Sequence, residues 1–324
     1  MKKWRKALRR EILPGLFGIL LGCLVLFPVF YGVMGAFKAP AEFITYPPTV
    51  LPRSLGNLDN FRAVFTLAPM PRYFLNSLIT ATLTSAVKLA VAALAAYAFS
   101  FFEFRGKKLL FLLVLGTMML PADTLVITNY QTVSRLGLLD SYLGICIVTF
   151  VGASPMFMLR QYFLSAPVSV REAAQLDGCG DLRFILSILA PMCLPLLLIL
   201  FVQSFVTQWN AYLWPLLVTN TNAMRTVQVG VTMLTTIEGT NYETVLAGAT
   251  IAMIPAALLF VALLIGLYIY CFMKVNSVSK QDQHEANLIA GILNKRYPYL
   301  YARIRQAMQR QQMQYNPFNQ RTYN

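Results

Sequence analysis

LPGLFGILLGCLVLFPVFYGVMGAF runs from Leu13 to Phe37 without one charged side chain. A helix needs about 20 apolar residues to cross the hydrocarbon core of a bilayer, so this run is long enough to span one. It follows MKKWRKALRR, the first ten residues, which hold six Lys or Arg and no acid. A basic start before an apolar stretch is also how a signal peptide opens. A cleaved apolar region, however, is about 7–15 residues long and ends at a small-residue cleavage site. The Leu13–Phe37 run is longer and no such site stands out after it, so it reads as a retained first span.

The same reading repeats along the chain and gives six spans, at about 13–37, 74–102, 108–129, 140–164, 183–208 and 247–273. The composition agrees: 57% hydrophobic and 12% charged, with a mean hydropathy of +0.58. A soluble domain carries about a quarter charged residues. The expected fold is therefore an all-α membrane protein with six transmembrane helices.

Charge placement gives the orientation. Net charge is +14. The basic start, Arg105-Gly106-Lys107-Lys108, the Arg160–Arg183 segment and a tail from Lys274 onward all fall on one side of a six-span chain. The opposite loops carry only Lys38, Arg53, Arg62 and Arg72, then Arg135, then Arg225. The positive-inside rule makes the first side cytoplasmic and puts both termini there, in the cell (plasma or inner) membrane. The organisation expected is a cytoplasmic basic N-terminus at 1–12, a six-span domain at 13–273 and a cytoplasmic basic, polar tail at 274–324. Such basic flanks read as orientation signals and contacts with anionic membrane lipid, not as a nucleic-acid surface. In the tail, Leu288, Ile289, Ile292 and Leu293, then Leu300, Ile304 and Met308, have amphipathic helical spacing interrupted near Pro298. A basic amphipathic segment of this kind lies on a lipid surface.

The loop at 38–73 is rich in proline and is expected to be irregular and surface-lying. The segment at 209–246 is Thr/Asn-rich and opens on WNAYLWP, whose Trp209, Tyr212 and Trp214 suit a membrane interface. Five scattered cysteines show no ligand spacing, and His284 is the one histidine, so neither a metal site nor a histidine-based triad is expected. No internal repeat pairs the first three spans with the last three, which disfavours the inverted-repeat secondary transporters.

Between spans four and five stands REAAQLDGCGDLRFILSILAPMCLP, residues 171–195. Ser169 and Glu172 have the spacing of a capping box. The helix so begun runs through Ala173, Ala174 and Leu176 and stops at Asp177-Gly178, where glycine supplies a left-handed residue. Asp181 is placed to cap the next helix. The two alanines leave the backbone open to close approach; equally, alanine favours helix and Glu172 only caps it. The residues alone leave both readings standing.

Glu172, Ala173, Ala174, Asp177 and Gly178, followed by Phe184, Ile188 and Pro191, resemble the cytoplasmic signature (EAA) loop of binding-protein-dependent ABC import permeases. One departure is Leu189-Ala190-Pro191, where the family has Leu-Pro. Asn76-Ser77-Leu78, AAYAFSFFEFRGKK (95–108), MMLPADTLVITNY (118–130), FMLRQYFLSAP (157–167), WNAYLWPLLVTN (209–220) and MRTVQVG (224–230) are similar to the carbohydrate-uptake branch, of maltose and glycerol-3-phosphate permease type. The resemblance covers about residues 10–273; the tail departs from the family, whose members end soon after the last span.

The resemblance implies a transport subunit that is not an enzyme, with no catalytic residues. Residues 172–178 would form a coupling helix that docks on a separate ATP-hydrolysing subunit. Its partners would be a second permease subunit, two ATP-binding subunits and an extracytoplasmic solute-binding protein. ATP and Mg would sit on the partner ATPase, and this chain would bind no cofactor. The residues agree in one respect: the nearest match to a phosphate loop, Gly106-Lys107, has Phe101 where the first glycine is needed. Charges at membrane depth default to functional hypotheses. Lys88 in span two and Asp123 in span three are therefore candidates for a substrate path, with Asn210 at the end of span five. An ion-coupled secondary transporter is the alternative.

Overall fold

The structure is a computed structural model that describes residues 2–166, 168–237 and 241–296. Within these, side chains are described except those of 2–13, 122–123, 168, 173, 236–237 and 270–296. The chain divides into two compact units, Met1–Leu263 and Leu264–Asn324. Among the described residues the fold is helical, with no strand.

Helix α1 (Lys2–Gly35) carries the first expected span. After α2 (Pro40–Phe43) and α3 (Asp59–Leu67) comes α4 (Met70–Phe101), the second span. Pro14–Gly35, Met70–Phe101 and the Tyr242–Ile269 part of the last helix are each long and apolar enough to cross a membrane unaided. The long apolar runs made these spans legible.

The third expected span, 108–129, is not one helix. It is α5 (Lys107–Thr117) and α6 (Val126–Arg135), separated by Met118–Pro121 and a 3₁₀ turn at Ala122–Leu125. The amides of Met118, Met119 and Leu120 bond to carbonyls three residues back, at 3.0, 3.1 and 3.2 Å. The helix thus tightens just before Pro121, which has no N–H to continue it. Spans four and five are bent pairs. α7 (Tyr142–Cys146) with its 3₁₀ extension to Thr149 meets α8 (Ala153–Ser165) at 52°. After α9 (Val168–Leu176), α10 (Asp181–Phe184), a π turn at Ile185–Leu189 and α11 (Ala190–Met192) make one arm. That arm meets α12 (Leu194–Trp209) at 88°. Pro191 and Pro195 flank the corner, and neither can give the amide that would carry the ladder through. α13 (Leu213–Val218), α14 (Val227–Ile237) and α15 (Tyr242–Arg296) follow. Tail residues 297–324, Pro298 included, lie outside the described residues, so the expected lipid-surface helix is not addressed there.

Helix α4 packs on both α8 and α12. Its buried positions, such as Ala81, Ser85, Ala92 and Ala96, are small, which lets helix backbones approach without a lipid-driven hydrophobic force.

One loop expectation is met in part and another is corrected. Residues 44–58 are irregular and mostly exposed, as expected, while α2, α3 and a few buried hydrogen bonds order the rest of 38–73. Glu42 accepts from the Ala39 and Arg53 amides, each at 3.0 Å. The Ala39 bond, with help from Arg53 and against some cost of burial, holds this carboxyl below its ordinary range. Buried Asn60 donates to the Ala36 and Lys38 carbonyls, each at 2.8 Å, and Lys38 donates to Thr49 O. In the 209–246 segment, Trp209 is not an interface anchor: it is 1% exposed, stacked 5.7 Å from Phe205, and donates to Ala252 O at 3.0 Å. A hydrogen-bonding partner at its indole N–H makes full burial tolerable. The same segment holds the apolar helix α14, which lies so close to α4 that a Cβ on Gly230 would stand 2.2 Å from the Tyr73 ring.

Candidate functional site

The signature segment is a helix, a turn and a second helix, with capping that differs from expectation. α9 starts at Val168, so Ser169 lies inside the helix and does not cap it. Its end follows the glycine rule: Gly178 has φ +71. The Cys179 amide bonds to Ala174 O at 2.9 Å and the Gly178 amide to Gln175 O at 3.0 Å, the bond pair of a Schellman motif. Gly180, not Asp181, is the N-cap of α10. Asp181 instead accepts from the Tyr97 hydroxyl at the far end of α4.

That bond is one of several tying the segment to α4 and α8. Arg171 donates to Phe101 O at 3.2 Å and its guanidinium stands 4.9 Å from the Phe101 ring. Arg160 of α8 donates to Phe99 O at 3.2 Å. Carbonyls in the last turn of a helix have no intrahelical partner and carry its negative pole, so two arginines are well placed there. Phe101 stacks on Phe163 (6.4 Å) and meets Phe184 edge-on (6.1 Å), and Tyr97 packs on Phe101 (5.0 Å). Each such pair contributes about 0.5–1.5 kcal/mol beyond its buried area.

The two faces of α9 therefore differ. Arg171 and Ala174 turn inward, and Ala174 is 6% exposed, so it belongs to the core and not to an open alanine surface. Glu172 and Asp177 are exposed, and Leu176 is 89% exposed. The side chain of Ala173 lies outside the described residues.

Among the described residues no hydrogen bond or ion pair joins the path candidates Lys88 and Asn210. Lys88 is half-buried in α4, its stem beside Gly152, where span four breaks. No carboxylate among the described residues pairs with it; the side chain of Asp123, its expected partner, lies outside them. Asn210 caps α12, accepts from Gln228 at 3.1 Å, and lines a groove of about 400 Å³ with Ala249, Ala252 and Ala256. Among the described residues no three His, Cys, Asp or Glu side chains gather as a metal site.

At the other end of α4, segments far apart in sequence meet. Asn76 donates to Ala223 O (2.8 Å) and Arg225 O (2.9 Å) and accepts from Tyr142 (2.8 Å). Ser77 accepts from the Val227 amide at 2.8 Å. Asp140, at φ +51, accepts from the amides of Asn220 (2.7 Å) and Thr221 (3.0 Å).

Residues 88–275 match the profile of a family described as the binding-protein-dependent transport system inner membrane component. The chain belongs to that family. The permease is 31% identical over 245 residues to the sn-glycerol-3-phosphate transport system permease protein UgpE of Yersinia enterocolitica, covering 74% of this chain and 86% of the relative. It is 28% identical over 247 residues to the arabinooligosaccharides transport system permease protein AraQ of Bacillus subtilis, covering 76% and 88%. Its fold matches a chain of a bacterial ABC transporter involved in import of the acidic polysaccharide alginate, with a TM-score of 0.67 at 21% identity, over 78% of this chain and 94% of that one. A second alginate transporter structure, in complex with an alginate pentasaccharide-bound periplasmic protein, matches at a TM-score of 0.53 and 16% identity, over 80% and 94%. The permease is thus a multi-pass membrane subunit of a binding-protein-dependent transport system, and not an enzyme.

Sequence reading passed over two features of the permease. Leu176 counted only as a helix residue, although a bulky apolar side chain next to an Asp-Gly stop has little core to enter. The motifs around Asn76 and Met224 carried the resemblance, but nothing in their spacing said that they touch.

Proposed function

We propose that the permease forms half of the transmembrane path of an ATP-driven importer, with a sugar or a sugar or glycerol phosphate as solute. A second permease would form the other half, two ATP-binding subunits holding ATP and Mg would supply hydrolysis, and a solute-binding protein would deliver from outside. The names of the relatives support the solute class. The observation that carries coupling is the two-faced helix α9: its inner face is held to the end of α4 by Arg171 and to the core by Ala174, while Glu172 and Leu176 stand outward. In this reading α9 is the coupling helix, with Ala173, Ala174, Asp177 and Gly178 giving it its shape.

A ligand shifts a conformational equilibrium only by its differential affinity for the two states. The closed ATPase dimer would bind one position of α9 better than another. Arg171 ties α9 to the end of α4, so a displacement of α9 would reach that span directly. Solute uptake into vesicles containing the four-subunit complex tests this. Uptake should require ATP inside and persist when ionophores collapse ion gradients; loss of uptake with the gradient would overturn the reading in favour of ion coupling.

For the path, Lys88 is the residue with the strongest claim, as a cation beside the break in span four. Lys88→Ala should lower uptake of an anionic solute at least tenfold while the complex assembles normally. Unchanged uptake would remove Lys88 from the path. Asp123 and Asn210 remain candidates of the same path, Asn210 through its groove with Gln228.

A further inference from the structure

Where α4 ends and α5 begins, a cavity of about 900 Å³ lies between the 103–108 turn, the flank of α5 and Arg160 of α8. Its lining is of two kinds: Lys107, Lys108 and Arg160 are cationic, and Phe104, Leu109 and Leu112 are apolar. Leu109 and Leu112 are 62% and 65% exposed, so no described part of the chain covers them. Lys107 is already engaged, at 3.0 Å from Glu103 and 2.8 Å from Phe102 O. Arg160 uses its Nε on Phe99 O and rests 4.2 Å from the Phe111 ring. No carboxylate among the described residues pairs with Lys108 or Arg160. Lys107 offsets Glu103, which leaves two uncompensated cations in a largely apolar lining.

We propose that this cavity is a binding site for one anionic phospholipid of the adjacent leaflet. The phosphate would lie between Lys108 and Arg160, and the acyl chains would run along Leu109 and Leu112 of α5. Two properties select a lipid over a soluble anion. The apolar wall continues from the basic rim down the first turns of a helix in the membrane domain, and basic residues at a membrane face attract anionic lipid. A free phosphate would meet the rim but leave the leucines uncovered. The Gly106 turn, at φ +86, sets Lys107 and Lys108 on the first turn of α5 and so places the cations beside the slot. This inference rests on the proposed function only in taking the 103–108 turn to be a membrane-facing loop; it makes no use of ATP or solute.

The test is native mass spectrometry of the full-length chain, co-purified with its partner subunits and extracted from vesicles of equal phosphatidylglycerol and phosphatidylcholine. Each copy should retain one phosphatidylglycerol. Lys108→Glu, which leaves the Arg160 cap on α4 intact, should lower that retention about tenfold. Arg135→Glu, in the last turn of α6, should leave it unchanged. Four results would overturn the proposal: equal retention of the two lipids, retention unaffected by Lys108→Glu, loss of lipid on adding inorganic phosphate alone, or no lipid in the assembled complex. The last would mean that a partner subunit fills the slot. Because retention is read without ATP or solute, failure of the importer reading leaves this result standing, and the reverse holds too.

Discussion

Glu172→Lys should leave the four-subunit complex intact and abolish the link between ATP hydrolysis and uptake. Glu172 is exposed on α9, while its neighbours Arg171 and Ala174 hold the helix to the rest of the permease. Reversing its charge touches no core contact, so folding and membrane insertion should be normal. What changes is the surface offered to the ATPase. Coupling between sites is typically about 1–3 kcal/mol, or 5–150-fold. Loss of it should reduce solute-stimulated ATPase by that range and uptake to background. Glu172→Gln, which keeps shape without charge, should retain part of the coupling. Leu176→Ser should weaken co-purification of the ATPase through loss of an exposed apolar contact. Normal coupling in Glu172→Lys would count decisively against α9 as the coupling helix.

The spans that were legible in the sequence are those in which apolar length alone decides. Leu13–Phe37 has no charge and little place to bury so much apolar surface except lipid or a partner, and α1 is accordingly exposed over most of residues 14–30. Legibility failed where local chemistry competes with length. Met118–Leu125 continues the apolar run of α5 for three residues, but Pro121 and the three tightened turns before it divide the third expected span. The 88° corner at Cys193 has a visible cause in Pro191 and Pro195, although proline alone does not fix an angle.

The signature segment shows the same divide. Glycine at 178 required a left-handed turn and the structure has one. Ser169 and Asp181 satisfied capping patterns, yet the helix begins before the serine, and the aspartate is drawn to Tyr97, a partner 84 residues away. Local rules identify which groups need a partner. They do not reveal a better partner brought in by the fold. Trp209 is the clearest case: its sequence surroundings suggest an interface, whereas the Ala252 carbonyl on α15 lets it sink into the core.

The second large effect is expected at Asn76, which has no exposed surface and serves three partners from two other segments. Asn76→Ala would leave the carbonyls of Ala223 and Arg225 and the hydroxyl of Tyr142 without that amide. A buried polar group left unsatisfied costs about 1–3 kcal/mol, so the sum is on the order of 3–5 kcal/mol after some relaxation. For a chain of this size that corresponds to a fall in Tm of roughly 4–7 °C, readable by thermal unfolding of the detergent-purified permease. Asn76→Asp should do as badly or worse, because its carboxylate would face two carbonyl oxygens with no proton to give. Tyr142→Phe removes one bond only and should cost about 1 kcal/mol. These differences separate a clamp from a merely crowded site, since a packing defect would rank Asn76→Asp as the mildest change. The clamp also has a functional reading that stability alone does not require. It fixes the 223–227 strand of backbone to the start of α4, whose other end carries Tyr97 and Phe101 against the signature segment. One rigid helix thus joins the two ends, and Asn76→Ala should lower uptake even at temperatures where the protein remains folded. If uptake and unfolding temperature are both unchanged, the three bonds do not hold these segments together.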